Sequence, residues 1–86
     1  MAKNYVLICV EYRQRISSSF YETYEETHKA MVDDFMKCIT PEDYQIGLKK
    51  NDAPCDEDWW IKDDCAWIGD NAYDYNIEWY IVYIGD

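Results

Sequence analysis

Residues 4–13 alternate in a way that leaves neither side of an extended chain polar. Val6, Ile8, Val10 and Tyr12 fall on one face, and Tyr5, Leu7 and Cys9 on the other. β-Branched and aromatic residues on both faces predict a strand buried on much of both sides, near the middle of a sheet. Gln14 and Arg15 read as a turn. Residues 16–21 then alternate Ile16, Ser18 and Phe20 against Ser17, Ser19 and Tyr21, a shorter strand that pairs with the first as a hairpin.

The period changes at Thr23. Thr23-Tyr24-Glu25-Glu26 is a capping box, in which the threonine hydroxyl accepts from the third helical N–H and Glu26 reaches back. Beyond it Tyr24, His28, Met31, Val32, Phe35, Cys38 and Ile39 fall in one arc of a helical wheel, with Glu26, Lys29, Asp33 and Lys37 opposite. Glu25–Lys29 and Asp33–Lys37 are i,i+4 pairs in the favourable order. Pro41 is expected to end this helix, because the residue before proline disfavours helical geometry.

Residues 40–58 carry the weakest pattern. Tyr44-Gln45-Ile46-Gly47-Leu48 suits a segment packed on the core or a short edge strand, and residues 49–54 read as an exposed loop. Residues 59–68 alternate Trp59, Ile61, Cys65 and Trp67 against Trp60, Lys62, Asp64 and Ala66. Gly69-Asp70-Asn71 reads as a turn, and residues 73–84 as a long final strand. The expected fold of residues 1–86 is therefore one α+β domain: a four-stranded antiparallel sheet in β-β-α-β-β order with one amphipathic helix on one face. One helix covers one face, yet the first and last strands carry large side chains on both. The second face is expected to be partly apolar, rich in Tyr and Trp, and bordered by carboxylates, which is the character of an interface.

Charge sharpens this picture. Residues 1–39 hold six acids and five bases, whereas residues 40–86 hold twelve acids against Lys49, Lys50 and Lys62, so nearly all of the net charge of −10 lies in the second half. Such a surface repels itself and disfavours bare nucleic acid and anionic membranes, which attract Lys and Arg. The short apolar run near the N-terminus cannot span a bilayer and has no cleavage pattern after it, so a cytoplasmic protein is expected. Cys9, Cys38, Cys55 and Cys65 have no metal-ligand spacing and read as reduced thiols.

Candidate chemistry is sparse. His28, the single histidine, sits in the apolar arc and reads as a packed residue rather than a general base. Asp52, Asp56, Asp58 and Asp63 take four positions of a calcium loop, but Pro54 and Glu57 stand where a ligand and the obligatory glycine belong. Asp63 and Asp64 as an acid–base dyad would point to opposite faces of a strand. Neither a phosphate-binding loop nor a nucleophile–base pair is visible, so no catalytic residue, metal or cofactor is expected.

The segment Phe20-Tyr21-Glu22-Thr23-Tyr24-Glu25-Glu26, with His28-Lys29-Ala30-Met31, and the ending Asn76-Ile77-Glu78-Trp79-Tyr80-Ile81-Val82-Tyr83-Ile84 resemble small uncharacterised proteins of phages and mobile elements of Gram-positive gut bacteria. These stretches cover about a third of the chain and are fold signatures, a strand entering a capped helix and a closing strand. The resemblance implies no activity and supplies no site residues.

Three functional expectations follow. The first is a non-enzymatic acidic interaction protein, a mobile-element inhibitor or modulator. It would present Asp56, Glu57, Asp58, Asp64, Asp70, Asp74 and Glu78 with the anchors Trp60, Tyr75 and Tyr80 to a basic protein surface. A nuclease or other nucleic-acid-handling enzyme is such a surface, as met by anti-CRISPR proteins or DNA mimics. The second is a homodimer joined through the second sheet face. The third is an enzyme or small-ligand binder with a cavity lined by Trp59, Trp67, Tyr75 and a carboxylate.

Overall fold

The computed structural model describes residues 3–12, 14–70 and 75–85. The elements run β1 (Tyr5–Glu11), β2 (Arg15–Tyr21), α1 (Tyr24–Met36), α2 (Pro41–Asn51), β3 (Cys55–Asp56), β4 (Trp59–Ile61), β5 (Cys65–Asp70) and β6 (Tyr75–Tyr83). The strands form one antiparallel sheet in the order β2-β1-β6-β5-β4-β3. β1 lies between β2 and β6, as its two apolar faces lead one to expect.

The expected four-stranded sheet with one helix is corrected in two places. First, residues 59–68 are not one strand. A turn at Lys62–Asp64, closed by the Lys62 N–H on the Cys65 carbonyl at 2.7 Å, folds them into the β4–β5 hairpin. The pairing Trp59↔Ile68, Trp60↔Trp67, Ile61↔Ala66 sets each odd position against an even one. The facing pattern therefore changes phase through the turn, and Trp67 lies on the side opposite to Trp59. β3 adds a sixth strand, and Gly69 and Asp70 belong to β5 rather than to a turn.

Second, residues 41–51 are helix. Pro41 does not simply stop α1; it is the first residue of α2, where its missing N–H costs nothing and its fixed φ suits the turn. Thr40 is the N-cap, its hydroxyl accepting from the Asp43 N–H at 3.1 Å. Glu42 and Asp43 in the first turn and Lys49 and Lys50 in the last both favour the helix dipole. Asp52 caps the other end in the left-handed conformation, φ 52°, which Asp tolerates better than most residues.

α1 begins where the capping box places it, with the Glu26 N–H on the Thr23 hydroxyl at 3.2 Å, and ends at Met36, short of Ile39. Lys29 pairs with Asp33 at 2.9 Å, a register different from both expected pairs. Both helices cover one face of the sheet. Met31 and Phe35 pack there against Leu7 and Cys9 of β1, Ile77 and Trp79 of β6, Ala66 of β5 and Trp59 of β4. Trp79 is wholly buried beside Phe35, ring centroids 5.5 Å apart, and its indole N–H donates to Asp34 Oδ2 at 2.8 Å. That bond satisfies the one polar atom a buried tryptophan brings with it. Burial, with Asp34 and Glu11 nearby, pushes the Cys9 thiol up to about 11, so it packs as a neutral small hydrophobe. Among the described residues no helix is long and apolar enough to cross a membrane.

Candidate interaction face

Among the described residues, no helix lies on the other face of the sheet. Its side chains follow from the register. One row crosses all six strands: Ile16, Val10, Glu78, Trp67, Trp60 and Cys55. Beside it run Ser18, Ile8, Tyr80 and Cys65, and then Phe20, Val6 and Val82. Neighbouring members of a row stand on strands about 4.8 Å apart, close enough for their side chains to touch. Phe20, Tyr80 and Val82 are exposed, and Ile16 keeps 71% of its surface in water. The apolar, aromatic second face expected from the first and last strands is present.

Its aromatic centre is built from the β4–β5 pair. Trp60 and Trp67 stack with ring centroids 6.3 Å apart and planes 27° from parallel. Trp67 can lie flat because Gly69, two residues along β5, has no side chain: a Cβ there would come within 2.1 Å of the Trp67 ring. Lys62 leaves the end of β4 and returns over Trp60, its ammonium 4.7 Å from the ring centroid. This is a cation–π contact on a half-buried indole. On β6, the Tyr80 phenol is pushed above the ordinary value, first by burial and then by the Glu78 charge.

Two acidic turns bound this centre, one at each end of the three-residue strand β4. Asp56, Glu57 and Asp58 make the β3–β4 turn. It is held by the Gly69 N–H on the Asp58 carbonyl at 2.9 Å and by the Asp56 carboxylate accepting from the Glu57 N–H at 2.9 Å. Lys50 of α2 approaches Asp56 at 3.5 Å and Glu57 at 3.7 Å. Lys50 and Glu57 are exposed and Asp56 is half-buried, so these long contacts contribute little to stability, but they partly neutralise that end. Asp63 and Asp64 make the β4–β5 turn. The Tyr24 hydroxyl donates to the Asp63 carbonyl, and the Ile81 N–H donates to the Asp64 carbonyl at 2.8 Å, tying the turn to α1 and β6.

The structure thus brings Trp60, Glu78 and Tyr80 onto one face and sets Asp56, Glu57, Asp58 and Asp64 around its β4 end. Asp70 and Tyr75 face each other at the last pair of the β5–β6 ladder. Asp74 lies outside the described residues. Trp67 and Lys62 join the centre without having been expected there. The signal for Trp67 was the turn chemistry of Lys62-Asp63-Asp64, since a hairpin there reverses the phase of everything that follows.

The expected cavity shared by Trp59 and Trp67 does not form, because the two rings lie on opposite sides of the sheet. A cleft of about 440 Å³ lies on the helix side between the α1–α2 corner and the β3–β4 turn, with Asp43, Lys50 and Asp58 among its lining residues. Cys38 also lines this cleft, and burial and Asp34 push its thiol up, away from the reactive thiolate. His28 is half-buried against the Tyr24 ring, centroids 5.6 Å apart, and lines a separate shallow cleft with Tyr44 and Lys62. Among the described residues no group of three His, Cys, Asp or Glu is arranged to hold a metal ion. Comparison of the chain with protein-family models, with curated proteins and with solved structures finds no match.

Proposed function

We propose that this chain is a small acidic protein-interaction module that receives a basic partner on the uncovered sheet face, with Trp60 and Trp67 as anchors. One observation carries the reading. The Trp60 ring already holds a cation, Lys62, and stands between two carboxylate turns. An aromatic surface rimmed by acids suits an arginine or lysine side chain, which stacks on the ring while its charge meets the rim. Aromatic anchors inside a polar rim are also the usual anatomy of an energetic hot spot.

The net charge of −10 adds long-range attraction for a positively charged partner and speeds encounter. A nucleic-acid-handling enzyme, such as a nuclease, offers the matching Arg/Lys-rich groove. A mobile-element inhibitor covering that groove is the role we assign. The arrangement favours aromatic docking over imitation of a phosphate backbone. Glu78 is the carboxylate within the described open-face rows, and Asp56, Glu57, Asp58 and Asp64 cluster at the turns on either side of β4 rather than in a regular file.

The test is capture from a bacterial lysate by the immobilised chain and its Trp60→Ala variant over a salt series. Basic proteins are expected on the native chain at low salt and are expected to elute as salt rises. Trp60→Ala should retain them about tenfold or more weakly, the scale of a lost hot-spot aromatic. Equal retention by the variant, or capture of acidic proteins without salt dependence, contradicts the proposal.

A further inference from the structure

We infer that the outer edge of β2 pairs with β2 of a second copy of this chain, antiparallel about a two-fold axis at Ser18, giving one continuous sheet across the dimer. β2 is the terminal strand of the sheet order and pairs one-to-one with β1 over all seven residues, with no bulge to turn its edge away. Natural edge strands are usually blunted by proline, by charge or by bulges. From Ile16 to Phe20 this strand reads Ile-Ser-Ser-Ser-Phe, with none of these devices.

The direction of its free backbone groups can be derived. The Tyr12 N–H donates to the Asn76 carbonyl and the Ile84 N–H to the Asn4 carbonyl, so even-numbered residues of the first strand bond towards β6. Odd-numbered residues of β1 therefore bond towards β2, where they face the odd-numbered Arg15, Ser17, Ser19 and Tyr21. Ile16, Ser18 and Phe20 are left with N–H and C=O directed away from the sheet.

A two-fold axis at Ser18 makes this edge complementary to itself. Ser18 faces Ser18 of the other copy, and Ile16 of each copy faces Phe20 of the other. Each such pair exchanges two backbone hydrogen bonds. Ile16 and Phe20, 71% and 52% exposed in the single chain, cover one another on the open face. An aromatic facing a β-branched residue is a favourable cross-strand pair. On the helix side a cleft of about 410 Å³ separates α1 from β2, with Ser17 and Ser19 in its lining, so the helix leaves the small serines uncovered.

Charge separation allows what the net charge would otherwise oppose. The strand order puts β3 and its acidic turn at the far edge, five strand spacings or about 24 Å from β2. That exceeds the screening length of about 8 Å at physiological ionic strength. β1, β2 and α1 lie in the half of the chain that is close to neutral. The inference uses the edge opposite to Trp60 and does not rest on the proposed function.

The test is sedimentation velocity on the full chain at micromolar to near-millimolar concentration. A species of twice the 10.4 kDa chain mass is expected, tightening as salt screens the residual repulsion. Ser18→Pro removes an outward N–H without touching the β1–β2 ladder. Phe20→Lys places a charge at the pairing edge while leaving every backbone bond available. Each should weaken the dimer by about tenfold or more and leave the far-UV circular dichroism unchanged. Should Ser18→Pro disturb the fold, Phe20→Lys decides alone. A native chain that stays monomeric throughout, or a dimer that survives Phe20→Lys, overturns the inference.

Discussion

Trp79→Ala is expected to leave the domain largely unfolded at physiological temperature. The Trp79 side chain is wholly buried at the middle of the sheet, between the β1 and β5 neighbours Cys9 and Ala66 and beneath Phe35. Truncating a buried tryptophan costs about 3–5 kcal/mol, against a total of about 5–15 kcal/mol for a typical domain and less for a small one. Trp79→Phe separates packing from polarity. It keeps most of the ring but strips Asp34 of its indole donor, and a hydrogen bond to a charged group is worth about 1.5–3 kcal/mol. Asp34→Asn keeps an oxygen that accepts from the indole and should cost less than either. Urea unfolding followed by circular dichroism orders the three. A Trp79→Phe variant as stable as the native chain would mean that the buried indole–carboxylate bond contributes nothing.

Gly47→Ala should destabilise the protein, against the usual sign for a helix interior. Alanine ordinarily gains about 0.5–1 kcal/mol over glycine within a helix. Here a Cβ would lie 2.3 Å from Trp59 Cζ2 and 2.8 Å from the Cys55 carbonyl oxygen. Neither can move easily. The Trp59 ring is held between Phe35 and Tyr44, with centroids at 5.7 and 5.5 Å, and the Cys55 carbonyl also accepts from the Asn51 amide at 2.8 Å. Overpacking costs about 1–3 kcal/mol and outweighs the helical gain, so a net loss of about 1–2 kcal/mol is expected, and more for Gly47→Val. Gln45→Ala, exposed on the same helix, should stay within about 0.5 kcal/mol. A neutral or stabilising Gly47→Ala would contradict the close approach of α2 to β4.

The elements with a strong period were legible in the sequence, namely β1, β2, the start of α1 at Thr23, and β6. What stayed hidden was governed by long-range packing. α2 has a glycine on its buried side because Trp59 needs the space, and that glycine breaks the apolar arc by which a helix is recognised. Pro41 serves both as a boundary and as a first helical residue, and only the Thr40 cap with Glu42 and Asp43 behind it favours the second role. The β4–β5 hairpin was hidden because Lys62 and Asp64 fit the polar face of an alternation on either side of it, and the single break at Asp63, with no Gly or Pro beside it, is a weak mark for a turn. The same error of phase placed Trp67 on the wrong side. Trp60, Glu78 and Tyr80 were recoverable as one surface because strand alternation alone assigns them. The confinement of most of the candidate acids to turns flanking β4 needed the topology.

The four tryptophans divide evenly between the faces, and their indole N–H signals give the most direct reading of where a basic partner lands. Trp59 and Trp79 are buried beneath the helices, at 5% and 0% exposure, whereas Trp60 and Trp67 lie on the open face. In a heteronuclear NMR titration with an arginine-rich peptide, the Trp60 and Trp67 indole resonances are expected to shift saturably while those of Trp59 and Trp79 stay in place. Shifts confined to Trp59, beside the helix-side cleft, or no shift at Trp60 and Trp67 at saturating peptide, would contradict a docking site on the uncovered face.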